Sequence, residues 1–243
     1  MLARLQSFIQ FFFQLKGDMV LKVVEKGQHK DVVIKEGECY LHPSRIPHSP
    51  QRSKDTLGLV IERERSKEEI DGLRYYIDGT TDPLWEQWFY CYDLGTQLVP
   101  VIESFFDSEE FKTGYPPPGK IFPTPPVKID TSTAVQTPQN FQKWCETVVR
   151  GSKVLFGSGE FKVVVWGEGV QEEENPGETF LWQMKGDAQV HCKQGSATMS
   201  AQSCTVMNPG ERFTVTRGAN SLALTVTIDP LASKMPKVAN GVN

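Results

Sequence analysis

With 243 residues, 39% of them hydrophobic and 23% charged, the chain has room for one large or two small domains and is too apolar to remain disordered. Its 26 basic and 30 acidic residues give a net charge of −4, so no broad basic surface is available to neutralise phosphates, and nucleic acid is excluded as a partner. Five cysteines (Cys39, Cys91, Cys145, Cys192 and Cys204) form no Cys-x-x-Cys pair, which predicts free thiols in a reducing, cytosolic compartment and no structural zinc.

Residues 2 to 15, LARLQSFIQFFFQL, are apolar, but Arg4, Gln6 and Gln10 interrupt them and no small-residue cleavage site follows. That pattern is not a secretion signal, and no run reaches the roughly 20 apolar residues that span a bilayer. Residues 18 to 24 and 31 to 34 are β-branched and bounded by glycine turns, as strands are. Residues 94 to 106 carry Leu94, Leu98, Val101, Ile102, Phe105 and Phe106 at helical spacing, with Pro100 expected to kink or delay the helix. Six prolines fall between positions 116 and 126, which predicts an extended linker over 114 to 136. Beyond it, Thr137 and Pro138 read as an N-cap and first turn, with Phe141, Trp144, Cys145 and Val148 on one helical face. Residues 161 to 166 and 222 to 228 are again strands. Many short strands between glycine turns predict a small barrel or sandwich on each side of the linker.

An internal repeat supports two related units. FFQLKGD at 12 to 18 matches LWQMKGD at 181 to 187 at an offset of 169 residues. Glu36-Gly37-Glu38 then aligns with Pro209-Gly210-Glu211 at an offset of 173, which would require four extra residues in the second hairpin and would place Ser221 where the first copy has His48. Strand-forming sequence begins about 27 residues ahead of the repeat in the second copy and only eleven ahead in the first. The first unit is therefore expected to lack front strands.

The stretch Gly37-x5-Pro43-x-Arg45-x2-His48 has the spacing of the second cupin motif, with Arg45 where glycine is usual; a histidine there can ligate a metal from a barrel mouth. The surrounding segments are more specific. FFQLKGDMVLKVVEKGQHKDVVIKEGECYLHPSRIPHSPQR, TLGLVIERER, DGLRYY and WFYCYDLGTQL closely resemble the 3-hydroxyanthranilate 3,4-dioxygenase family, from about Phe11 to Thr113 and more weakly to the end.

The resemblance implies an all-β fold of two cupin barrels with a few short helices: residues 1 to 113 as the catalytic cupin, incomplete at its N-terminal side, and 137 to 243 as a degenerate second cupin. It implies a monomer without membrane or nucleic-acid partners. One Fe(2+) in the first barrel would open the ring of 3-hydroxyanthranilate with O2, giving 2-amino-3-carboxymuconate semialdehyde, which closes to quinolinate on the kynurenine route to NAD. Carried over by position, His48 matches a metal ligand, Arg52 the arginine that pairs with the substrate carboxylate, and Glu62 the glutamate that bonds the polar ring substituents. His42 stands where the family has an aliphatic residue and reads as incidental; His29 lies in a charged turn and His191 in the second barrel.

Two positions depart from the family. Counting back from Gly17 puts Gln10 where the ligand glutamate belongs and Arg4 where the first ligand histidine belongs. An amide is a weak iron ligand and a guanidinium is none. The departure predicts an alternative or shortened N-terminus, and it leaves a second reading open: a catalytically impaired bicupin that binds an aromatic carboxylate through Arg52.

Overall fold

A computed structural model describes residues 2–158 and 160–228, and they are mostly β-strand. The chain divides into two compact units, Met1–Asn140 and Phe141–Asn243.

The first unit contains β1 (Leu2–Leu5), β2 (Gln10–Lys16), β3 (Met19–Glu25), β4 (Gln28–Ile34), β5 (Glu38–His42), β6 (His48–Arg52), β7 (Leu57–Ile61), β8 (Asp71–Tyr76) and β9 (Pro83–Phe89). Helices α1 (Leu94–Phe106) and α2 (Glu109–Thr113) and the short β10 (Gln139–Asn140) complete it. One antiparallel sheet runs β4-β3-β6-β1-β8-β9 and the other β10-β5-β2-β7. Their inner faces enclose Tyr40 together with Phe12, Leu21, Val23, Ile34 and Ile46, each of these aliphatic and phenyl side chains contributing about 1.5–3 kcal/mol on burial.

Helix α1 begins at Leu94, where Asp93 caps it by accepting from the Gly95 amide at 2.9 Å. Pro100 neither delays nor ends it. Val101 and Phe105 anchor the helix beyond the proline, and Phe105 stacks on Tyr75 with ring centroids 3.4 Å apart. This tertiary packing outweighs the hydrogen bond that the proline removes.

The proline-rich segment also differs from a free linker. Between Thr113 and Gln139 it has no helix or strand, yet its later part is bound to the first unit. Asp130 N–H donates to Arg45 O at 2.9 Å, Val135 N–H donates to Glu25 Oε1 at 2.6 Å, and the Val135 side chain enters the core. Gln139 and Asn140 then pair with Cys39 and Glu38. The Thr137-Pro138 helix start is therefore displaced: this ladder takes the next two residues, and α3 spans only Phe141–Cys145.

The second unit holds α3, β11 (Ser152–Ser158), β12 (Phe161–Trp166), β13 (Gly169–Glu174), β14 (Thr179–Lys185), β15 (Ala188–Cys192), β16 (Gly195–Met199), β17 (Ser203–Met207), β18 (Arg212–Arg217) and β19 (Leu222–Ile228). Its sheets run β11-β12-β19-β14-β17 and β13-β18-β15-β16.

The repeat is visible in the backbone. In both copies a bulge follows the glutamine, between Gln14 and Lys16 and between Gln183 and Lys185. In each, the glutamine amide donates to the lysine carbonyl, at 3.1 and 2.9 Å, and a left-handed glycine follows, Gly17 at φ 68° and Gly186 at φ 70°.

Beyond the bulge the two copies are spaced differently from the expected offset of 173 residues. Met19 pairs with Ile34, but the equivalent Ala188 pairs with Met199, so the second hairpin is four residues shorter rather than longer. Gly37 therefore corresponds to Gln202, whose φ is 64° and whose N–H reaches Gln183 O as that of Gly37 reaches Gln14 O. Gly210 corresponds to Arg45, an arginine at φ 62°. The counterpart of His48 is Phe213, not Ser221: Val23 faces His48 across the ladder as Cys192 faces Phe213.

Candidate functional site

In the first unit, Gln10, Phe12 and Gln14 share one face of β2. Each touches one of the residues singled out by position. Gln10 donates to Glu62 Oε1, Phe12 meets the His48 ring edge-on at 6.4 Å, and Gln14 Oε1 accepts from Arg52 Nη1 at 3.4 Å. His48 thus lies between the Glu62 and Arg52 ends of the row. Gly58 makes the Arg52 end possible, since a Cβ there would lie 2.5 Å from Arg52 Nη1 and 2.8 Å from Gln14 Oε1.

Arg4 faces His48 directly across the β1–β6 ladder. Its guanidinium donates to Asp71 Oδ2 at 2.7 Å and lies 3.7 Å from Glu62. Arg65 donates to both carboxylates, to Asp71 at 3.2 Å and to Glu62 at 3.1 Å. Gln6, with its amide oriented by these neighbours, accepts from both arginines. Two cations and two anions therefore close a charge-balanced network around Asp71, which is fully buried.

Nothing in the sequence reading assigned Asp71 or Arg65 to the site. The available signal was the pair of arginines in VIERER followed by a single aspartate in DGLRYY: a buried guanidinium needs an anion.

His42, expected to be incidental, is buried against His48 with ring centroids 4.3 Å apart. Both rings engage the Ile46 carbonyl, His42 through Nε2 at 3.0 Å and His48 through Nδ1 at 3.3 Å. Burial lowers the His42 pKa to about 4. Burial, then His42, then the Arg4 charge hold His48 well below the ordinary histidine value. Both rings are neutral at pH 7. His42 is visible from the ladder, because it pairs with Gln10, but only once the register is known.

A ferrous centre of three protein ligands does not fit these residues. Glu62 is engaged by Gln10, Arg4 and Arg65, and the Arg4 guanidinium faces His48, where it opposes a dication. Among the described residues no three His, Cys, Asp or Glu side chains converge. The five cysteines form no disulfide, and among the described residues no helix is long and apolar enough to cross a membrane.

Residues 4–106 match the family model described as 3-hydroxyanthranilic acid dioxygenase. The 3-hydroxyanthranilate 3,4-dioxygenase of Nematostella vectensis is 44% identical over 229 residues, covering 93% of this chain and 83% of that protein. The Homo sapiens protein of that name is 41% identical, over 93% of this chain and 81% of its own length. Among solved structures, oxalate decarboxylase from Bacillus subtilis superposes with a TM-score of 0.48 at 13% identity, over 93% of this chain and 64% of that one. A cupin 2 conserved barrel domain protein from Leptotrichia buccalis gives 0.46 at 10% identity, over 94% and 78%.

The family match, together with the identity carried across both units, defines an oxidoreductase of the dioxygenase class. The chain belongs to the 3-hydroxyanthranilic acid dioxygenase family.

Proposed function

We propose that the protein serves the ring-opening reaction of its family: 3-hydroxyanthranilate and O2 give 2-amino-3-carboxymuconate semialdehyde, with both oxygen atoms retained in the product, which closes to quinolinate for NAD biosynthesis. The supporting observation is the row in which Gln14, Phe12 and Gln10 hold Arg52, His48 and Glu62 along one strand. Arg52 meets the substrate carboxylate with a planar fork, and Glu62 receives the ring hydroxyl and amino groups. The family's cofactor for this chemistry would be Fe(2+), and of the positions that would hold it only His48 still carries a metal-ligating side chain. The protein works as a cytosolic monomer.

A second reading has its own support in the Arg4–Asp71–Glu62–Arg65 network. With Arg4 and Gln10 in the ligand positions, the first unit supplies the substrate-holding half of the reaction, and the chain is an aromatic-carboxylate binder with little turnover. Anaerobic loading with ferrous iron, followed by iron stoichiometry, substrate titration and oxygen uptake, separates the two readings. The network predicts saturable substrate binding, substoichiometric iron and oxygen uptake at least about a hundredfold below that of a full-donor relative. Tight one-to-one iron with ordinary turnover would overturn the second reading. Absence of substrate binding would overturn the role given to Arg52.

A further inference from the structure

The second unit repeats the glutamine–arginine pair of the first. Gln14 sits in β2 as Gln183 sits in β14; Met19 pairs with Arg52 as Ala188 pairs with Arg217. Gln183 Oε1 accepts from Arg217 Nε at 3.1 Å, as Gln14 Oε1 accepts from Arg52. The surroundings differ. Arg52 is exposed, whereas Arg217 is only 3% exposed.

Among the described residues no carboxylate forms an ion pair with Arg217. Its Nη2 has no hydrogen-bond partner, and burial lowers its pKa from 12.5 to about 10. Glu173 is the acid that acts on it, from further along β13, and its Oε2 accepts from Asn175 Nδ2 at 2.7 Å. A second buried group is equally unsatisfied. Gln171, 1% exposed, has partners for neither its amide nitrogen nor its amide oxygen. Since Gly169 pairs with Arg217 and Gln171 with Val215, Gln171 is the diagonal cross-strand neighbour of Arg217 on the same face, a separation that long side chains bridge. The Trp166 ring lies 5.8 Å from the guanidinium carbon and forms an apolar wall. Arg217 ends β18, and the residues that follow it, 218–220, are exposed.

An unpaired guanidinium and an unsatisfied amide in one interior cost several kcal/mol unless something completes them. Water can fill the amide's bonds but brings no compensating charge. The open valences are two donors, Arg217 Nη2 and Gln171 Nε2, and one acceptor, Gln171 Oε1. Their complement is an anion with acceptor oxygens and a neighbouring donor.

We infer that the second unit is a binding site for a small carboxylate bearing an adjacent hydroxyl or amino group, held by Arg217 and Gln171 beside Trp166. Only the analogy with Arg52 rests on the function proposed above; the unsatisfied pair stands without it.

The probe is salicylate, with phenol as the uncharged control, titrated calorimetrically into the full chain. In an Arg52→Met variant, which removes the first unit's carboxylate anchor, one salicylate should still bind per chain and phenol should not compete. Adding Arg217→Met should abolish that binding. Gln171→Leu in the same background, which fills the space with an apolar group and should retain the circular dichroism spectrum, should weaken it about tenfold. The inference is overturned if Arg52→Met binds no salicylate, if Gln171→Leu binds it as tightly as its parent, or if phenol competes equally. If salicylate affinity at the first unit is unchanged by Arg52→Met while the second site behaves as expected, the function proposed for Arg52 fails and the inference here stands.

Discussion

The two units share one backbone plan but have opposite interiors. Where the first unit has Gln10 beside Glu62, the second has Thr179 bonded to Thr227 at 3.2 Å. Where the first has His42 and His48, the second has Met207 and Phe213. The position of Arg4, opposite His48, is taken by Glu173, opposite Phe213. The glutamine bulge and the arginine it holds persist in both. The comparison teaches that the bulge and its Gln–Arg contact are common to both units, while the residues around His48 are the ones that differ between them.

The largest way to break this contrast is at Asp71. Asp71→Ala leaves Arg4 and Arg65 without their shared buried anion and should cost the first unit about 3–5 kcal/mol. Urea unfolding followed by probes in each unit should show the first transition shifted and the second unmoved. Coincident shifts would mean the units do not melt independently.

Acid should sharpen the same contrast. His42 has a folded pKa of about 4 against an unfolded value near 6.5, so the unfolded chain takes up the proton first. Stability should fall as pH drops from about 6.5 to 4, by roughly 3 kcal/mol from this histidine. His42→Met, which copies Met207 of the second unit, should flatten that limb. A melting profile unchanged by the substitution would count against the buried neutral pair.

A smaller effect is expected at Gly58, whose counterpart is Ala223. Gly58→Ala should leave the fold intact because the clash falls on the flexible ends of Arg52 and Gln14. Affinity for 3-hydroxyanthranilate should drop about tenfold as Arg52 is pushed aside, roughly 1.4 kcal/mol. Unchanged affinity would separate Arg52 from the carboxylate. Smallest of all, Arg45→Gly restores the glycine that the second unit has at Gly210 and relieves a left-handed arginine. The thermal midpoint should rise by the equivalent of less than about 1 kcal/mol, because glycine's extra chain entropy offsets part of the relief.

The all-β class, the strand runs and the FFQLKGD repeat were legible because alternation and glycine turns are local signals. The second repeat match was misleading: Pro209-Gly210-Glu211 resembles Glu36-Gly37-Glu38, but a left-handed turn accepts Gln202 or Arg45 as well as glycine, so residue identity did not mark the equivalent turns. Helix α3 was displaced because β10 found a ladder partner 100 residues away, which no window on sequence contains. At the site, Arg4 and Gln10 could be placed by counting back along the chain from Gly17. Asp71, Arg65 and His42 could not, because they reach the same space from β8, from the segment after β7 and from β5, and only the folded chain brings them together.

Among the described residues, β7 pairs only with β2, whereas its counterpart β19 is covered by β12 and then β11. Leu57 and Val60 of β7 are exposed. A bare strand of Leu-Gly-Leu-Val-Ile invites an incoming strand of its own kind, and nothing in its composition turns one away. The strand that carries Gly58, whose lack of a side chain leaves room for Arg52, is therefore also an open edge that would accept a strand from outside the unit.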